Sequence, residues 1–449
     1  MPTHAEAVRR HLANGPLAAR QLLEKLGVSQ PTMSRALADL GAGLVRFGAA
    51  RSIQYALRDT ARGLPDIPVY QVDADGRVGR LGVLIPLSPE GFLMRREDGT
   101  QRYSAGLPWW LTDMRPQGYL GRAYAARHAA ALGLPQRPTQ WSDTHALRAL
   151  LAHGHDAIGN LLLGETARGQ FLDAPLPVAI AAAEKAQAYA ALAREAARGE
   201  QAGSSAGGEQ PKFTCYTTCD GVPAHAIVKF SEAEAGPVGE RWRDLLLAEH
   251  LALETLRAAR LSAARSCIID HAGQRFLEVL RFDRVGALGR RALISLSALD
   301  AEFVGAGGEP WPAVVQRLRE VVPLQPDAVS SAALLWAFGS LIGNTDMHGG
   351  NLSFIAEHAC PYALAPAYDM SPMAFAPRSG GGLPDTLPTA RVHASVADAL
   401  WHQAEHLARD YLQRLRQTPG FSARFAPCIA ALARHIEQVS MQTARLASQ

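Results

Sequence analysis

The residues best suited to chemistry lie in a polar loop between two apolar runs. Leu341-Ile342 lead into it, and Leu352-Ser353-Phe354 lead out. Within the loop, Asp346 precedes Asn351 by five positions. Phosphoryl transfer uses this arrangement, because a carboxylate accepts the proton of the attacking hydroxyl and an amide oxygen five residues later holds a metal ion. The spacing predicts a catalytic base at Asp346 and a metal ligand at Asn351.

A second metal ligand is predicted at the end of a nearby strand. Asp369 follows the strand-like run Tyr362-Ala363-Leu364-Ala365. Asp and Asn are also ordinary turn residues, since their side chains cap their own backbone. The spacing alone is therefore a weak signal, and the hypothesis depends on what lies upstream.

A glycine-rich stretch upstream is suited to contact phosphate groups. Its small residues allow a backbone to approach a phosphate and expose N–H groups to it. The stretch matches neither G-x-G-x-x-G nor G-x-x-x-x-G-K-[ST], and a plain linker would look similar. The predicted nucleotide-binding residues here are Ser204, Ser205, Ala206, Gly207 and Gly208.

A strand lysine, a helix glutamate and a hinge follow in the order found in protein kinases. Lys229 ends the apolar strand 226–230, and Glu249 lies beside the apolar face of a predicted helix over 243–257. A carboxylate there needs a cationic partner, and Lys229 is suitable. Leu280 and Phe282 would offer hinge backbone groups to adenine. Together these motifs predict a protein kinase that uses ATP and Mg²⁺.

Composition places this site in a globular protein of ordinary character. The 449 residues allow two or three domains, with 48% hydrophobic and 19% charged residues. Five scattered cysteines suit a reducing compartment. The sequence lacks a signal-like start and a run near the roughly 18 apolar residues of a membrane span. A cytoplasmic location without membrane contact is expected.

The N-terminal segment differs from the remainder in charge. Residues 1–58 contain eight Lys/Arg against three acidic residues, a net charge of +5. The remaining chain has 37 basic and 39 acidic residues, a net charge of −2. This asymmetry indicates a polyanion partner for the N-terminal segment.

Hydrophobic periodicity over residues 5–57 predicts a winged helix-turn-helix. Gly27 would end the second helix, and Ser29 would cap the third. The third helix would enter a DNA major groove, with wing arginines on phosphates. The winged helix could instead serve protein contacts. The predicted DNA-binding residues are Ser29, Gln30, Thr32, Ser34, Arg35, Arg46 and Arg51.

Two connecting segments are predicted in the middle of the chain. Residues 62–68 contain Gly and Pro and read as a linker to short strands and helices. Residues 179–198 are rich in Ala, the best helix former, and predict a connector helix.

At this point the sequence resembles the HipA family of serine/threonine kinases, toxins of bacterial toxin–antitoxin systems. The resemblance covers roughly residues 65 to 440, and the Asp346 loop is its most specific part. The most similar subgroup carries a winged helix on the same chain. The matching segments are 113–118, 204–212, 279–284, 342–351 and 367–369.

The resemblance implies roles for individual residues. Asp346 would be the catalytic base, Asn351 and Asp369 the Mg²⁺ ligands, and Lys229 the phosphate-binding lysine. His348, in the family's D-x-H pattern, would brace the loop or serve the structure alone. Ser204, or its neighbour Ser205, would be autophosphorylated, and the added phosphate would repel those of ATP.

The resemblance also implies an α+β fold. A winged helix-turn-helix (residues 1–60) would precede a two-lobed kinase-like fold, with its N-terminal region over 65–325 and a helical C-terminal lobe over 326–449. Residues 371–391 resemble an activation segment. Gly349-Gly350 depart from the family pattern, which often has a basic residue before the Asn.

Two other functions stay open. The chain could be a DNA-binding regulator whose kinase fold binds nucleotide or a partner without phosphoryl transfer, or it could be a small-molecule kinase. For a toxin kinase, the expected partners are a protein substrate, aminoacyl-tRNA synthetases being known cases in the family, and a small antitoxin. A paired DNA operator would favour a homodimer.

Overall fold

A computed structural model of the chain describes residues 3–49, 52–198, 210–356, 361–389 and 392–446. The predicted site residues Ser204, Ser205, Ala206, Gly207, Gly208 and Arg51 lie outside the described residues. Within the described part, no helix has the length and apolar character that crossing a membrane requires.

The N-terminal unit consists of three helices and an antiparallel sheet. Gly27 ends the second helix at a φ of +62°, and Ser29 Oγ accepts a hydrogen bond from Thr32 N at 3.4 Å at the start of the third. Both capping predictions are confirmed. The sheet order is β1-β3-β2. The elements are α1 (His4–Leu12), β1 (Leu17–Ala18), α2 (Ala19–Leu26), α3 (Gln30–Asp39), β2 (Leu44–Phe47) and β3 (Gln54–Leu57).

A second unit contains a five-stranded antiparallel sheet with the order β7-β6-β5-β4-β8. A 3₁₀ turn at Trp109–Met114 follows β7 and leads toward the first helix of this unit. The elements are β4 (Ile67–Val72), β5 (Val78–Leu87), β6 (Gly91–Arg96), β7 (Gln101–Ser104), α4 (Gly118–His128), α5 (Asp143–His153), β8 (Leu161–Leu163) and α6 (Gly164–Asp173).

The two units pack directly against each other. Val45 and Phe47 of β2 are buried in one hydrophobic cluster with Ile85 and Leu93 of the second unit. Arg62 donates hydrogen bonds to the carbonyls of residues 87, 90 and 91. The predicted linker over 62–68 does connect the two units, but it is bonded to the sheet and its last two residues belong to β4.

The third unit is a four-stranded antiparallel sheet with the order β11-β12-β10-β9. One face of the sheet is covered by the helix Lys185–Ala197, and the other packs against the helix Pro237–Ala258 beside a cleft. The elements are α7 (Lys185–Ala197), β9 (Lys212–Cys219), β10 (Val222–Phe230), α8 (Pro237–Ala258), β11 (Ser266–His271) and β12 (Gln274–Leu280).

Helix α7 is part of this unit, so its prediction as a connector is wrong. It begins at Lys185, and its Tyr189 and Ala193 are buried against Phe213 and Phe276 of the sheet. The alanines that favour a helix also have little bulk, which allows this face to lie close to the sheet. Composition alone could not distinguish an exposed alanine-rich helix from a packed one.

The remainder of the chain is mostly helical around a large apolar core. The antiparallel sheet β15-β16-β17 places the start of α9 beside the polar loop at 343–351. The mixture of antiparallel sheets and helices agrees with the α+β prediction. The elements are β13 (Arg284–Val285), β14 (Gly289–Arg290), β15 (Ala292–Ser295), α9 (Leu296–Phe303), α10 (Trp311–Val321), α11 (Ala328–Leu341), β16 (Ser353–Ala356), β17 (Ala363–Leu364), α12 (Asp398–Gln417) and α13 (Ala426–Leu446).

Candidate active site

A cavity of about 510 Å³ lies between the four-stranded sheet and the helical region. Side chains from the sheet, helix α8, the 280–283 segment and the polar loop line it. Asp346 lies beside the cavity and contacts the lining residue Asn351. The predicted residues that line it are Lys229, Glu249, Leu280, Phe282, His348, Asn351 and Asp369.

Strand alternation directs Lys229 into the cavity. Successive side chains of a strand point to opposite faces, so Lys229 faces the cleft while Val228 and Phe230 face α7. Lys229 Nζ donates to both oxygens of Glu249, at 2.7 and 2.9 Å, and also to Asp369. The predicted pairing of Lys229 with Glu249 is confirmed.

Burial and neighbouring charges together shift the pKa values of the side chains in this cluster. Burial alone would lower the pKa of Lys229, but the carboxylates of Asp369 and Glu249 outweigh it and raise the pKa. Burial opposes ionisation of Asp369, yet the ammonium of Lys229 lowers the pKa of this carboxyl. Burial raises the pKa of Glu249. A charged Lys229 and a charged Asp369 therefore face each other at the cavity.

Asp369 is held in an unusual backbone conformation. Its φ of +53° is left-handed, a region sparsely populated by residues other than glycine. Asn344 Nδ2 donates to its carbonyl at 3.2 Å. The preceding Tyr368 donates its hydroxyl to Gly350 O at 2.8 Å. Contacts on both sides thus fix the carboxylate, and backbone strain of this kind is common at functional sites.

The polar loop is closed by its own side chains. Asp346 N donates to Asn344 Oδ1 at 3.0 Å, and Asn351 Nδ2 donates to Asp346 O at 2.8 Å and to its carboxylate at 3.4 Å. His348 Nδ1 accepts from Gly350 N at 3.0 Å. The side chains of His348 and Asp346 are 61% and 53% exposed. His348 therefore bonds within the loop, while Asp346 is open to an incoming substrate.

Asn351 and Asp369 form a donor set that fits Mg²⁺. The amide nitrogen of Asn351 is engaged with Asp346, so its amide oxygen is the atom suited to a cation. Mg²⁺ prefers oxygen ligands and usually binds through one or two carboxylates together with substrate phosphates. Among the described residues, no group of three or more His, Cys, Asp or Glu side chains is placed to hold a metal. The carboxylate of Asp369 and the amide oxygen of Asn351 are therefore the groups at this cavity whose chemistry fits Mg²⁺.

The segment predicted as the hinge is tied to the second unit by buried charges. Asp283 accepts from Arg281 at 2.9 and 2.8 Å and from Arg284 at 2.7 Å, while Gly159 N donates to it at 3.2 Å. Arg284 also donates to Asp156 at 3.0 Å. Despite its burial, Asp283 has a pKa lowered by the two guanidinium groups. This rigid attachment was not predicted, although three adjacent charges after an apolar strand are a signal for buried pairing.

Several cavity residues escaped the sequence reasoning. Lys212 lies directly opposite Lys229 in the β9–β10 register, so strand pairing could have revealed it. The remaining residues were not predicted to line the cavity, although Asp113, Gln117 and Tyr368 lie in segments that resemble the HipA family. They include Thr112, Asp113, Gln117, Ser295, Ser297 and Tyr368.

The predicted DNA-binding residues lie on the N-terminal unit. Ser29, Gln30, Ser34 and Arg35 are exposed on and before α3, whereas Thr32 is half-buried. Ser29 and Thr32 share a hydrogen bond of 3.0 Å between their hydroxyls, so both serve the helix start. Arg46 is exposed between two buried neighbours on β2.

Two family models match the sequence of this chain. Residues 64–172 match the model of the YjjJ-like toxin, middle domain. Residues 204–442 match the model of the HipA-like C-terminal domain. The second match contains Lys229, the 280–283 segment, the polar loop and Asp369.

One curated relative matches over nearly the whole chain. "Toxin YjjJ" of Escherichia coli (strain K12) is 38% identical over 437 residues, 97% of this chain and 98% of the relative.

Two solved structures share a weaker likeness. One is HipA of Shewanella oneidensis MR-1 in a complex with HipB and its operator DNA, with a TM-score of 0.46, 14% identity and coverage of 84% of this chain and 97% of that chain. The other is the Helicobacter pylori proinflammatory kinase CtkA, with a TM-score of 0.37, 12% identity and coverage of 52% and 95%. On the strength of its sequence matches, the chain belongs to the HipA-like family of toxins and is a relative of YjjJ.

Proposed function

We propose that this protein is a serine/threonine protein kinase that depends on ATP and Mg²⁺ and acts as a growth-inhibiting toxin. One observation carries the proposal. The buried Lys229 and Glu249 and the half-buried Asp369 form a cluster at the same cavity as Asn351, which bonds to Asp346. In phosphoryl-transfer enzymes, an ammonium and carboxylates at one cavity bind the triphosphate and orient the acceptor hydroxyl.

Each of these residues has its own role in phosphoryl transfer. Lys229 contacts the nucleotide phosphates and Glu249 fixes its ammonium, while Leu280 and Phe282 present backbone groups to adenine. Asn351 and Asp369 hold Mg²⁺, which neutralises phosphate charge when bound. Asp346 orients the acceptor hydroxyl. As the new O–P bond forms, the bond between the γ-phosphorus and its bridging oxygen breaks, ADP leaves, and the hydroxyl proton passes to Asp346.

The glycine-rich stretch completes the proposal as a regulatory segment. It joins the end of α7 to the start of β9, whose Lys212 lines the cavity. Phosphorylation of Ser204 or Ser205 there would add a dianion that repels the phosphates of ATP. Autophosphorylation would therefore inhibit the kinase.

Intact-mass measurement after incubation with Mg·ATP tests the activity. Wild-type protein should gain one phosphate, mapped by peptide analysis to Ser204 or Ser205. Asp346→Asn should gain none while keeping the wild-type unfolding midpoint. Asp398→Asn, at an exposed position at the start of α12, is the matched control and should behave as wild type. Unchanged phosphate gain in Asp346→Asn would refute the assignment.

We further propose that the N-terminal unit is a winged helix-turn-helix that binds DNA. Its three helices, its hairpin and the exposed Gln30, Ser34 and Arg35 of α3 support this function. Fluorescence anisotropy with a duplex from upstream of the coding sequence tests it. Arg35→Ala should weaken binding by about 1–3 kcal/mol. Arg20→Ala, which removes an exposed arginine of α2 paired with Glu24, should have little effect, and equal losses would contradict the assignment.

A second candidate is a DNA-binding regulator whose cleft binds nucleotide without transfer. The hydrogen bond between Lys229 and Asp369 favours it, because this bond engages a predicted metal ligand. An ATP-dependent rise in the unfolding midpoint without any phosphate gain would support this candidate. The protein substrate, a small antitoxin and a homodimer stay predictions.

A further inference from the structure

The second unit forms part of the wall of the nucleotide cavity. Thr112, Asp113 and Gln117 line the cavity, although they belong to the segment between β7 and α4. Asp113 is half-buried in the 3₁₀ turn Trp109–Met114. A carboxylate there requires hydrogen-bond donors to offset the loss of water.

Both oxygens of Asp113 bind one residue of the helical region. Asp113 Oδ2 accepts from Ser295 N at 2.6 Å, and Oδ1 accepts from Ser295 Oγ at 2.7 Å. Ser295 Oγ in turn accepts from Ala298 N at 3.1 Å and caps α9. Asp113 therefore fixes the residue at which β15 ends and α9 begins.

This junction packs against the turn that carries the predicted metal ligand. Leu296 N donates to Leu352 O at 2.7 Å, directly after Asn351. Gly349 lies so close that a Cβ on it would be 2.7 Å from Ser297 Oγ and 3.0 Å from Ser297 N. A shift of Ser295 would therefore be transmitted to Gly349 and Asn351, because close-packed groups cannot absorb the displacement.

We propose that Asp113 is a positioning residue for phosphoryl transfer, which acts through Ser295 to hold the Gly349–Asn351 turn. The proposal rests on the proposed kinase function. It makes the YjjJ-like middle domain a structural part of the active site. A carboxylate is suited to this role because its two oxygens accept from the N–H and O–H of one residue at once.

Phosphate-transfer rates of Asp113→Asn over a range of Mg²⁺ concentrations test this role. Mutation of a residue that supports a metal ligand from outside the metal site typically lowers metal affinity or activity by about 10- to 100-fold. We expect a loss in this range, with a higher Mg²⁺ concentration needed for half-maximal rate. Asp143→Asn is the matched control, because Asp143 accepts from Leu107 N at 2.9 Å and Arg115 at 2.6 Å within the same unit. It should leave the Mg²⁺ requirement unchanged.

A double-mutant cycle separates positioning from general destabilisation. Ser295→Ala should show the same shift in Mg²⁺ requirement, and adding it to Asp113→Asn should cause little further loss, since both act through one contact. Additive losses, an unchanged Mg²⁺ requirement in Asp113→Asn, or an equal shift in Asp143→Asn would overturn the proposal. An inactive wild type would instead refute the kinase function on which it rests.

Discussion

The four-stranded sheet carries a buried lysine–glutamate pair on each face. On the cleft face, Lys229 lies 2.7 Å from Glu249. On the outer face, Lys185 also lies 2.7 Å from Glu278. The two pairs have the same chemistry and nearly the same burial, so their neighbours decide what each one does.

The outer pair forms a closed network. Tyr189 donates its hydroxyl proton to Glu278 and accepts from the Thr217 hydroxyl at 3.0 Å, and α7 covers the group. The cleft pair has Asp369 as a third member, and the side chain of Asp369 is 28% exposed beside the cavity. A buried ion pair by itself therefore does not indicate a site. A buried ion pair does indicate a site when a further charged side chain beside it is open to a cavity.

Removing the outer lysine first tests whether the outer pair serves stability alone. Lys185→Met should lower the free energy of unfolding by about 3–5 kcal/mol, because it leaves the carboxylate of Glu278 buried without its cation. The transfer rate per folded molecule should stay near that of wild type. Chemical denaturation and kinase assays on one preparation measure both quantities. A loss of rate without a loss of stability would place this pair in the mechanism.

The reciprocal change removes the cleft lysine. Lys229→Met should reduce the transfer rate by about 10²–10³-fold, the usual cost of removing a preorganised electrostatic contact. Its stability loss should be similar to that of Lys185→Met, because it leaves the carboxylate of Glu249 buried without its cation. Single-turnover assays beside denaturation curves test this. Equal effects of the two substitutions on rate would remove the distinction between the two faces.

Replacing the whole outer pair sharpens the contrast. Lys185→Met combined with Glu278→Leu should recover most of the about 3–5 kcal/mol lost in Lys185→Met alone, since apolar residues often replace a buried ion pair without net cost. Denaturant midpoints of the single and double variants measure the recovery. No recovery would show that the charges have a role beyond pairing.

The smallest expected effect comes from the hydroxyl of Tyr189. Tyr189→Phe removes its hydrogen bonds and should cost about 0.5–1.5 kcal/mol, the net value of a typical intramolecular hydrogen bond. The transfer rate should not change. Tyr411→Phe is a suitable reference, because this buried hydroxyl has no hydrogen-bond partner among the described residues and its removal should cost less. A larger loss of unfolding free energy in Tyr411→Phe than in Tyr189→Phe would contradict a stabilising hydrogen-bond network around Tyr189.

Local spacing predicted local geometry well. The caps at Gly27 and Ser29 and the pairing of Lys229 with Glu249 each follow from side-chain chemistry and element periodicity. The DNA-binding and nucleotide-binding roles of the predicted residues stay predictions.

Contacts between distant segments could not be predicted in the same way. The bond of Asp113 to Ser295 joins residues 182 positions apart, and the contact of Arg284 with Asp156 joins residues 128 apart. Such contacts depend on how whole units pack, which no local pattern specifies. The docking of β2 on the second sheet was missed for the same reason.

Calorimetric titration of ATP tests the cleft most directly, in an Asp346→Asn background that prevents turnover. Binding should be clearly tighter with Mg²⁺ than with a chelator, and adding Asp369→Asn should remove most of that difference. Adding Lys185→Met should preserve it. ATP binding that is equal with and without Mg²⁺, or unaffected by Asp369→Asn, would contradict a metal-assisted nucleotide site in this cleft.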